Sequence, residues 1–235
     1  MEICLLSGWA NPAEAMRPLA HLLDRSVKTC VRTAHDYAAS ADSESNLIND
    51  CGDAPILVGW SLGGLIALNV AIQYPRRVRA LIVIATPARF CAAPGYRHGF
   101  SREQLGHLAT QLNTDAQAAL RDFFQRSATP QTPHNHDLER RIGEAMQIGT
   151  SPLLKGIAYL ERTDLRSVVS KIECPLFVIH GRKDAIVPWR AGRILADLVT
   201  DSQWELHPDG GHDLPLQSPA FVSDQILTFI RSLDE

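Results

Sequence analysis

The sequence has little of what marks a membrane, nucleic-acid-binding or disulfide-stabilised protein. Its 235 residues contain no apolar run of membrane-spanning length, and no basic segment followed by a long apolar core opens the chain. The formal net charge of −3 gives no sign of nucleic-acid binding. The five cysteines are odd in number and lack C-x-x-C spacing, which is typical of reduced, mostly buried thiols. We therefore expect a cytoplasmic protein without membrane or nucleic-acid partners.

What is present is an alternation of apolar strand patterns with helical ones. A hydrophobic content of 45% suits a buried sheet, and the length suits one domain with an insertion. Because strands alternate with helices, the sheet should be mostly parallel with right-handed crossovers. The predicted strands are 2–6, 27–32, 55–59, 79–85, 176–179 and 203–207. The fold class is therefore α/β.

The most informative motif is the G-x-S-x-G run centred on Ser61. It follows an apolar strand and opens the helical pattern of 62–73. A strand, this motif and a helix are typical of a nucleophile elbow, which holds the serine at a strained backbone angle with its Oγ above the sheet. Gly59 and Gly63 flank the serine because a Cβ there would collide with neighbouring backbone. The alternative is a Gly/Ser turn without a catalytic role.

An acid and a histidine follow two later strands. Asp184 comes after the strand at 176–179 and His212 after the strand at 203–207, so the order is serine, acid, histidine, as in α/β hydrolases. Ligands in open α/β sheets gather at this edge. In a triad, His212 takes the proton of Ser61 and returns it to the leaving group, while Asp184 holds the imidazole tautomer.

Other acids are weaker candidates for the third member. Asp209 and Asp213 lie so near His212 in the sequence that we expect solvated loop acids. Some members of this fold carry the acid after the strand that follows the nucleophile, but 85–87 contains no carboxylate. This favours Asp184.

Histidines outside the triad have simpler interpretations. His180 ends a strand, and we expect a supporting hydrogen bond near the site. His134 and His136 lie in a Pro/Thr-rich stretch without partner ligands at metal spacing, which indicates an exposed loop. The sequence predicts neither a metal nor a cofactor.

Two backbone N–H groups are expected to bind the oxyanion. One belongs to Leu62, the residue after the nucleophile. The other should come from the loop after the first strand, where Trp9 is the candidate and Gly8 lets the backbone approach the substrate.

The strand pattern stops between residues 88 and 164. Helical periodicity predicts four helices, at 101–112, 115–126, 137–149 and 152–161. We interpret 88–164 as a helical lid inserted into a core formed by 1–87 and 165–235; a lid covers the serine and shapes the acyl pocket. The apolar candidates for that pocket are Phe123, Phe124, Leu120, Met146 and Leu153. Packing of the lid helices against one another is the alternative for each.

The chain resembles the biotin-pathway pimeloyl-acyl-carrier-protein methyl ester carboxylesterases. The matching runs are Ser7-Gly8-Trp9, Leu57 to Leu65, Arg79 to Ala85, Leu160 to Arg166, and the Asp184 and His212 loops. The resemblance implies the α/β-hydrolase fold, the triad Ser61, Asp184 and His212, oxyanion N–H groups from Trp9 and Leu62, and a substrate-facing Phe123.

In that family, lid arginines receive the acidic carrier protein. By resemblance, the candidates here are Arg121, Arg126, Arg140 and Arg141. The lid also carries acids, so a solvated mixed surface is an equal alternative.

The chain departs from the family in three places. Ser7-Gly8 stands where the family has His-Gly, the D-x-P-G-x-G-x-S loop is missing after the second strand, and the usual N-terminal antiparallel hairpin is not found. The last departure predicts a minimal sheet of about six strands, with 2–6 between 27–32 and 55–59.

Three functions compete at this point. The first is a monomeric carboxylesterase for pimeloyl-carrier-protein methyl ester. The second is a general short-acyl esterase, lactonase or thioesterase, and the third is a non-catalytic binding protein. Haloalkane dehalogenases need Asp where Ser61 stands, and a related menaquinone-pathway lyase has Arg where Leu65 stands, which argues against both.

Overall fold

The computed structural model describes residues 2–38 and 43–233, and the statements below concern those residues. They contain one sheet of six parallel strands in the order β2-β1-β3-β4-β5-β6. The strands are β1 Glu2–Leu6, β2 Lys28–Arg32, β3 Ile56–Trp60, β4 Ala80–Ile84, β5 Leu176–Gly181 and β6 Ser202–His207. The predicted minimal parallel sheet, with β1 between β2 and β3, is confirmed.

Eleven α-helices are found in the described ranges. Those of the core are α1 Arg17–Leu23, α2 Ala34–Ala38, α3 Ser43–Asp50, α4 Leu62–Gln73, α9 Trp189–Asp197, α10 Leu214–Gln217 and α11 Pro219–Ser232. Those of the insertion between β4 and β5 are α5 Arg102–Thr114, α6 Ala116–Ser127, α7 Asn135–Ile148 and α8 Thr150–Arg162. The four insertion helices agree with the predicted ones to within two residues at each end. None of the helices described is long and apolar enough to cross a membrane.

Both faces of the central strands are covered. Every residue of β3 and β4 is buried, because α1 and α11 pack on one face and α3, α4 and α9 on the other. Strands buried on both faces read as continuous apolar runs. Since all six strands run the same way, the loops after their carboxyl ends meet at one edge, and these loops carry the serine, the acid and the histidine.

Two short helices were not predicted, and the segment before α1 is not regular α-helix. The periodicity of α2 and α10 extends over only five and four residues, too few to form a recognisable pattern. Asn11 does not cap the helix that follows it. Residues Ala13–Met16 form a 3-10 turn before α1, and the Asn11 side chain bonds to the carbonyl of Trp9 instead.

The insertion is closed at its base by an ion-paired cluster. Arg89 and Asp164 form an isolated antiparallel bridge and a salt bridge, and Arg166 binds the same carboxylate at 2.8 Å. The hydrogen bond from Arg166 holds the pKa of Asp164 well below its usual range against the opposing effect of burial, and Arg89 adds to this. The two chain segments that enter and leave the insertion are thereby held together.

Candidate active site

Ser61 occupies a strained turn between β3 and α4. Its φ of 54° and ψ of −111° lie in a region that non-glycine residues rarely adopt. The turn is tight because its neighbours lack side chains. A Cβ on Gly59 would lie 2.5 Å from the carbonyl oxygen of Gly63, and one on Gly63 would lie 2.6 Å from that of Ser7. The predicted reason for both glycines is therefore confirmed.

The structure brings the three predicted side chains together. Ser61 Oγ lies 3.1 Å from His212 Nε2, and His212 Nδ1 lies 2.9 Å from Asp184 Oδ2. The other carboxylate oxygen of Asp184 accepts the backbone N–H groups of Ile186 and Val187, each at 2.8 Å. The imidazole is thus oriented between a hydroxyl and a carboxylate, as proton transfer from Ser61 requires.

Asp184 is held as a carboxylate although it is buried. Burial by itself raises its pKa, but electrostatic attraction to the ring of His212 and hydrogen bonds from His180 and His212 lower the pKa below the usual range. A carboxylate in this position is of the kind that stabilises an imidazolium in a catalytic triad.

His180 lies beside Asp184 and helps to hold its carboxylate in place. It is fully buried, and its Nε2 lies 2.9 Å from the carbonyl oxygen of Val187 and 3.3 Å from Asp184 Oδ2. Because a carbonyl only accepts, this Nε2 carries the proton. Gly192 leaves room for the ring, since a Cβ there would lie 2.3 Å from His180 Nδ1. His180 is therefore in the supporting position expected of it.

The two backbone N–H groups expected to bind an oxyanion have no acceptor among the described residues. Leu62 begins α4, so its N–H has no acceptor within the helix. In the part of the chain that the structure describes, the N–H of Trp9 has no hydrogen-bond acceptor either. The loop turns sharply after Trp9, where Ala10 has a φ of 59° and donates its N–H to His35 Nε2 at 3.0 Å.

The insertion covers this edge of the sheet. Phe123 meets the Trp9 ring edge-on with a centroid distance of 4.6 Å, and Trp9 Nε1 donates to the carbonyl oxygen of Leu153 at 2.9 Å. A cavity of about 600 Å³ between α5 and α6 reaches Phe123 and Ile186, and its lining also includes Phe100, Leu108, Ala119 and Arg126.

The other apolar candidates do not line this cavity. Leu120, Phe124 and Leu153 are buried between helices, whereas Met146 is 46% exposed. For these three buried side chains, helix packing is the observed role. Of the five candidates, Phe123 alone lies on the cavity wall.

Two sequence interpretations are wrong, and they concern the same ion pair. Arg141 is not on the lid surface. Its side chain is 10% exposed, and its Nη1 lies 2.5 Å from Asp213 Oδ2. Asp213 is not a solvated loop acid, since it is 1% exposed. A charged group is buried at low cost only with a partner, and each of these residues is the partner of the other.

The remaining charged candidates lie on the surface. Arg121 pairs with Glu139 at 2.5 Å, Arg140 pairs with Glu144 at 2.6 Å, and Arg126 lies over the Phe100 ring at 5.4 Å. Asp209 is exposed and pairs with Lys183 at 2.7 Å, as expected of a loop acid. His134 and His136 are exposed as expected, but only His134 precedes α7; His136 lies in the first turn of that helix beside Asp137, so the loop interpretation is wrong for it.

Residues that sequence reasoning missed connect the lid to the site. His35 accepts from Ala10, and its Nδ1 lies 3.3 Å from the carbonyl oxygen of Pro152 on α8. Ser127 on α6 donates to Asp213 Oδ2 at 3.2 Å. The sequence carried one signal that Arg141 is buried. At helical spacing, Arg141 falls on the same face of α7 as the apolar residues Leu138, Ile142 and Ala145.

Comparisons with known proteins show the fold family of this chain. A family model described as the alpha/beta hydrolase fold matches residues 24–219. A pimeloyl-[acyl-carrier protein] methyl ester esterase of Neisseria meningitidis serogroup C is 34% identical over 165 residues, covering 68% of this chain and 62% of that protein. The chain thus matches less than two thirds of that relative's length.

Similarity over the whole chain is found elsewhere. A protein of the same name from Chromobacterium violaceum is 31% identical over 245 residues, covering 100% of this chain and 93% of its own length. A solved esterase from Exiguobacterium antarcticum superposes with a TM-score of 0.89 at 19% identity, covering 98% of this chain and 92% of that one, which shows the fold alone. The family-model match and the full-length relative show that this chain belongs to the α/β-hydrolase fold family, among the relatives of the pimeloyl-[acyl-carrier protein] methyl ester esterases.

Proposed function

We propose that the chain is a serine carboxylesterase that hydrolyses a carboxylic ester through an acyl-enzyme. The observation that carries this proposal is the relay from Ser61 through His212 to Asp184 on a strained turn at the carboxyl edge of the sheet. A serine hydroxyl needs an adjacent base to become a nucleophile at neutral pH, and this arrangement supplies one.

In the proposed reaction His212 moves the proton in both halves. Nε2 takes the proton of Ser61 Oγ as the oxygen attacks the ester carbonyl. The N–H groups of Leu62 and Trp9 bind the resulting oxyanion. Collapse breaks the bond to the alkoxy group, and His212 gives that group the proton, so an alcohol leaves. Water then attacks the acyl-enzyme by the same route and releases the acid.

The favoured substrate is the methyl ester of pimeloyl-acyl-carrier protein. Two observations support it. Relatives that carry this name match the chain, one of them over its full length. The cavity of about 600 Å³ beside Phe123 has Phe100, Leu108 and Ala119 in its wall, although its other lining side chains are mostly polar, and we assign the acyl chain to these apolar residues. We place the reaction in the cytoplasm as part of biotin synthesis and propose that the enzyme acts as a monomer.

Docking of the carrier is proposed for three arginines rather than four. Arg121, Arg126 and Arg140 lie on α6 and α7 and face solvent at least in part. Arg141 does not qualify because its charge is buried against Asp213. Exposed cations speed the encounter with an acidic carrier, although glutamates partly neutralise Arg121 and Arg140.

That neutralisation favours one alternative, a general esterase for short soluble esters. With Glu139 and Glu144 bound to the exposed arginines, the lid surface has no strong positive excess at these positions. Such an enzyme would use the same triad and cavity and would not need a carrier protein.

Hydrolysis by the purified protein distinguishes these functions. The carrier-bound methyl ester and a free dimethyl ester of pimelate are compared, with Ser61→Ala as the control. We expect a much higher kcat/KM for the carrier-bound ester and none of this activity in the alanine variant. Equal kcat/KM for both esters would support the general esterase. Inactivity of the wild-type protein on every ester would support a binding protein.

Rescue tests the biotin role separately. The wild-type chain should restore growth without biotin to a bacterium that lacks its own pimeloyl-carrier-protein esterase, and Ser61→Ala should not. Failure of the wild-type chain, when expressed and active on soluble esters, would contradict the biotin assignment while leaving the serine mechanism intact.

A further inference from the structure

Helix α7 contains two arginines, Arg140 and Arg141. Of these two, Arg141 has its charged group buried inside the protein. Its guanidinium packs 4.2 Å above the ring of Phe124 and donates to Asp213 through Nη1 at 2.5 Å and Nη2 at 3.4 Å. Nη2 also lies 3.4 Å from Asn11 Oδ1. One side chain of the lid therefore reaches two different loops of the core.

The first loop carries the catalytic histidine. Asp213 is the residue after His212, and its Oδ2 accepts from both Arg141 and Ser127 of the lid. Its backbone N–H donates to the carbonyl oxygen of Ser127 at 3.3 Å. On the other side, the carbonyl oxygen of His212 accepts Trp60 Nε1 at 2.9 Å. The backbone at His212 is thus held from the core by Trp60 and from the lid through Asp213.

The second loop carries the proposed oxyanion donor. The amide group of Asn11 donates to the carbonyl oxygen of Trp9 at 2.8 Å, while its oxygen faces Arg141. A chain of rings leads to the same loop, because Phe124 lies 5.6 Å from Phe123, which lies 4.6 Å from Trp9. Arg141 packs on Phe124, at one end of this chain of rings. It also lies near the side-chain amide of Asn11, which bonds to Trp9 at the other end.

We propose that Arg141 is a positioning residue for the serine reaction: it holds the backbone of His212 and of Trp9 in their working places through Asp213 and Asn11. This rests on the proposed function, since it assigns Arg141 to the placement of His212 and of the Trp9 N–H. Arg141 itself touches no reacting atom. The lid is then a structural part of the active site as well as its cover.

The chemistry of arginine suits this position. A planar guanidinium presents several N–H donors in fixed directions, so one group satisfies a carboxylate and an amide oxygen simultaneously. A lysine has the charge but not the fork. Because both partners are buried, the pair is weakly screened and its geometry is well defined. Exposed lid pairs such as Arg102 with Glu161 lack this constraint.

The test measures kcat per active site for Arg141→Met, Arg141→Lys, Asp213→Asn and the Arg141→Met/Asp213→Asn double variant. The substrate is a short p-nitrophenyl ester, and active sites are counted by titration with a fluorophosphonate that labels Ser61. We expect Arg141→Met to lower kcat roughly 10²-fold, since misplacement of about 1 Å costs this much. KM should change less than kcat, and Arg141→Lys should recover part of the loss. The double variant should lose no more than Arg141→Met, because both changes break one connection.

Arg102→Met is the matched control, an exposed lid arginine in an ion pair, and should retain the wild-type kcat. Titration separates positioning from folding: if Arg141→Met only reduces the number of sites and leaves kcat per site unchanged, the proposal is wrong. If Arg141→Met does not fold, the double variant is measured instead, because it buries no unpaired charge. A wild-type kcat in the double variant overturns the proposal. Loss of hydrolysis in Ser61→Ala with normal kcat in Arg141→Met refutes this inference alone, whereas hydrolysis by Ser61→Ala refutes the proposed function.

Discussion

Two buried carboxylates lie near His212 on loops of the core, and their partners come from different parts of the molecule. Asp184 sits on the loop after β5, and its partners are the imidazoles of His180 and His212 and two N–H groups of its own loop. Asp213 sits beside His212 in the sequence, yet its partners Arg141 and Ser127 come from the lid. Asp184 acts within the core, whereas Asp213 joins the core to the lid.

The difference shows that two sets of contacts assemble the site. We call the contacts among the core loops the core level and the contacts between those loops and the lid the lid level. The core loops bring the serine, the histidine and the acid together because parallel strands end at one edge. The lid is then linked, directly or through His35, to three consecutive residues of the loop after β1: Trp9 bonds to Leu153, Ala10 reaches Pro152 through His35, and Asn11 faces Arg141. Disruption of the core level should abolish catalysis, whereas disruption of the lid level should reduce it.

The largest effect is expected at Ser61, on which both levels converge. Ser61→Ala should lower kcat on the order of 10⁴–10⁶-fold, because no other group there can form the acyl-enzyme. In the wild-type protein, mass spectrometry after fluorophosphonate treatment should find the label on Ser61 alone. Near wild-type hydrolysis by Ser61→Ala would show that Ser61 is not the nucleophile. The comparison of the core level with the lid level would then have no basis.

The two carboxylates can be compared directly by substitution with asparagine. Asp184→Asn should lower kcat roughly 10⁴-fold, because the imidazole then adopts the wrong tautomer. Asp213→Asn should cost far less, about 10²-fold through misplacement, and the exposed Asp209→Asn should cost almost nothing. If Asp213→Asn or Asp209→Asn proves more damaging than Asp184→Asn, the assignment of the acid is wrong.

The lid contact at His35 should make stability fall in mild acid. Burial lowers the pKa of His35 from 6.5 to about 4, against a smaller opposing effect of its bond to Pro152. Between these values the unfolded chain binds a proton that the folded chain does not. Stability is therefore complete above pH 6.5 and decreases towards pH 4, by about 3 kcal/mol in total.

Urea unfolding at pH 7 and pH 5 measures this contribution. The His35→Gln variant keeps an acceptor for the N–H of Ala10 but does not titrate, so it should lose less stability on acidification than the wild type. The His136→Gln variant is the control, since His136 is 92% exposed and should leave the wild-type pH dependence unchanged. An identical decrease in the wild type and in His35→Gln would contradict the prediction.

The smallest and most substrate-dependent effect concerns the exposed lid arginines. Reversal of Arg121, Arg126 and Arg140 to Glu should raise KM for a carrier-bound ester about tenfold through slower encounter. Activity on a short soluble ester should barely change, and the wild-type advantage should shrink at high salt. Equal effects on both esters would indicate a damaged lid, and no effect on either would favour the general esterase.

How much the sequence could predict differs between the two levels. The six strands, their parallel direction, the four lid helices and the placement of the triad at the strand ends followed from local periodicity and motif order. The partners of Asp213 did not, because they lie 72 residues and 86 residues away in the chain and on the lid. Nothing local in Gly211-His212-Asp213 distinguishes a buried acid from a solvated one.

Arg140 and Arg141 show which features the sequence determines and which depend on the tertiary structure. The sequence by itself determined that the lid would be helical and that these two cations would stand together on it. Adjacent helix positions point about 100° apart, so the same run sends Arg140 to the surface and Arg141 into the interior. Whether a buried cation finds a partner depends on what packs against the helix. Only the tertiary structure, by docking α7 against the histidine loop, decided that Arg141 would meet Asp213 and not a carrier protein.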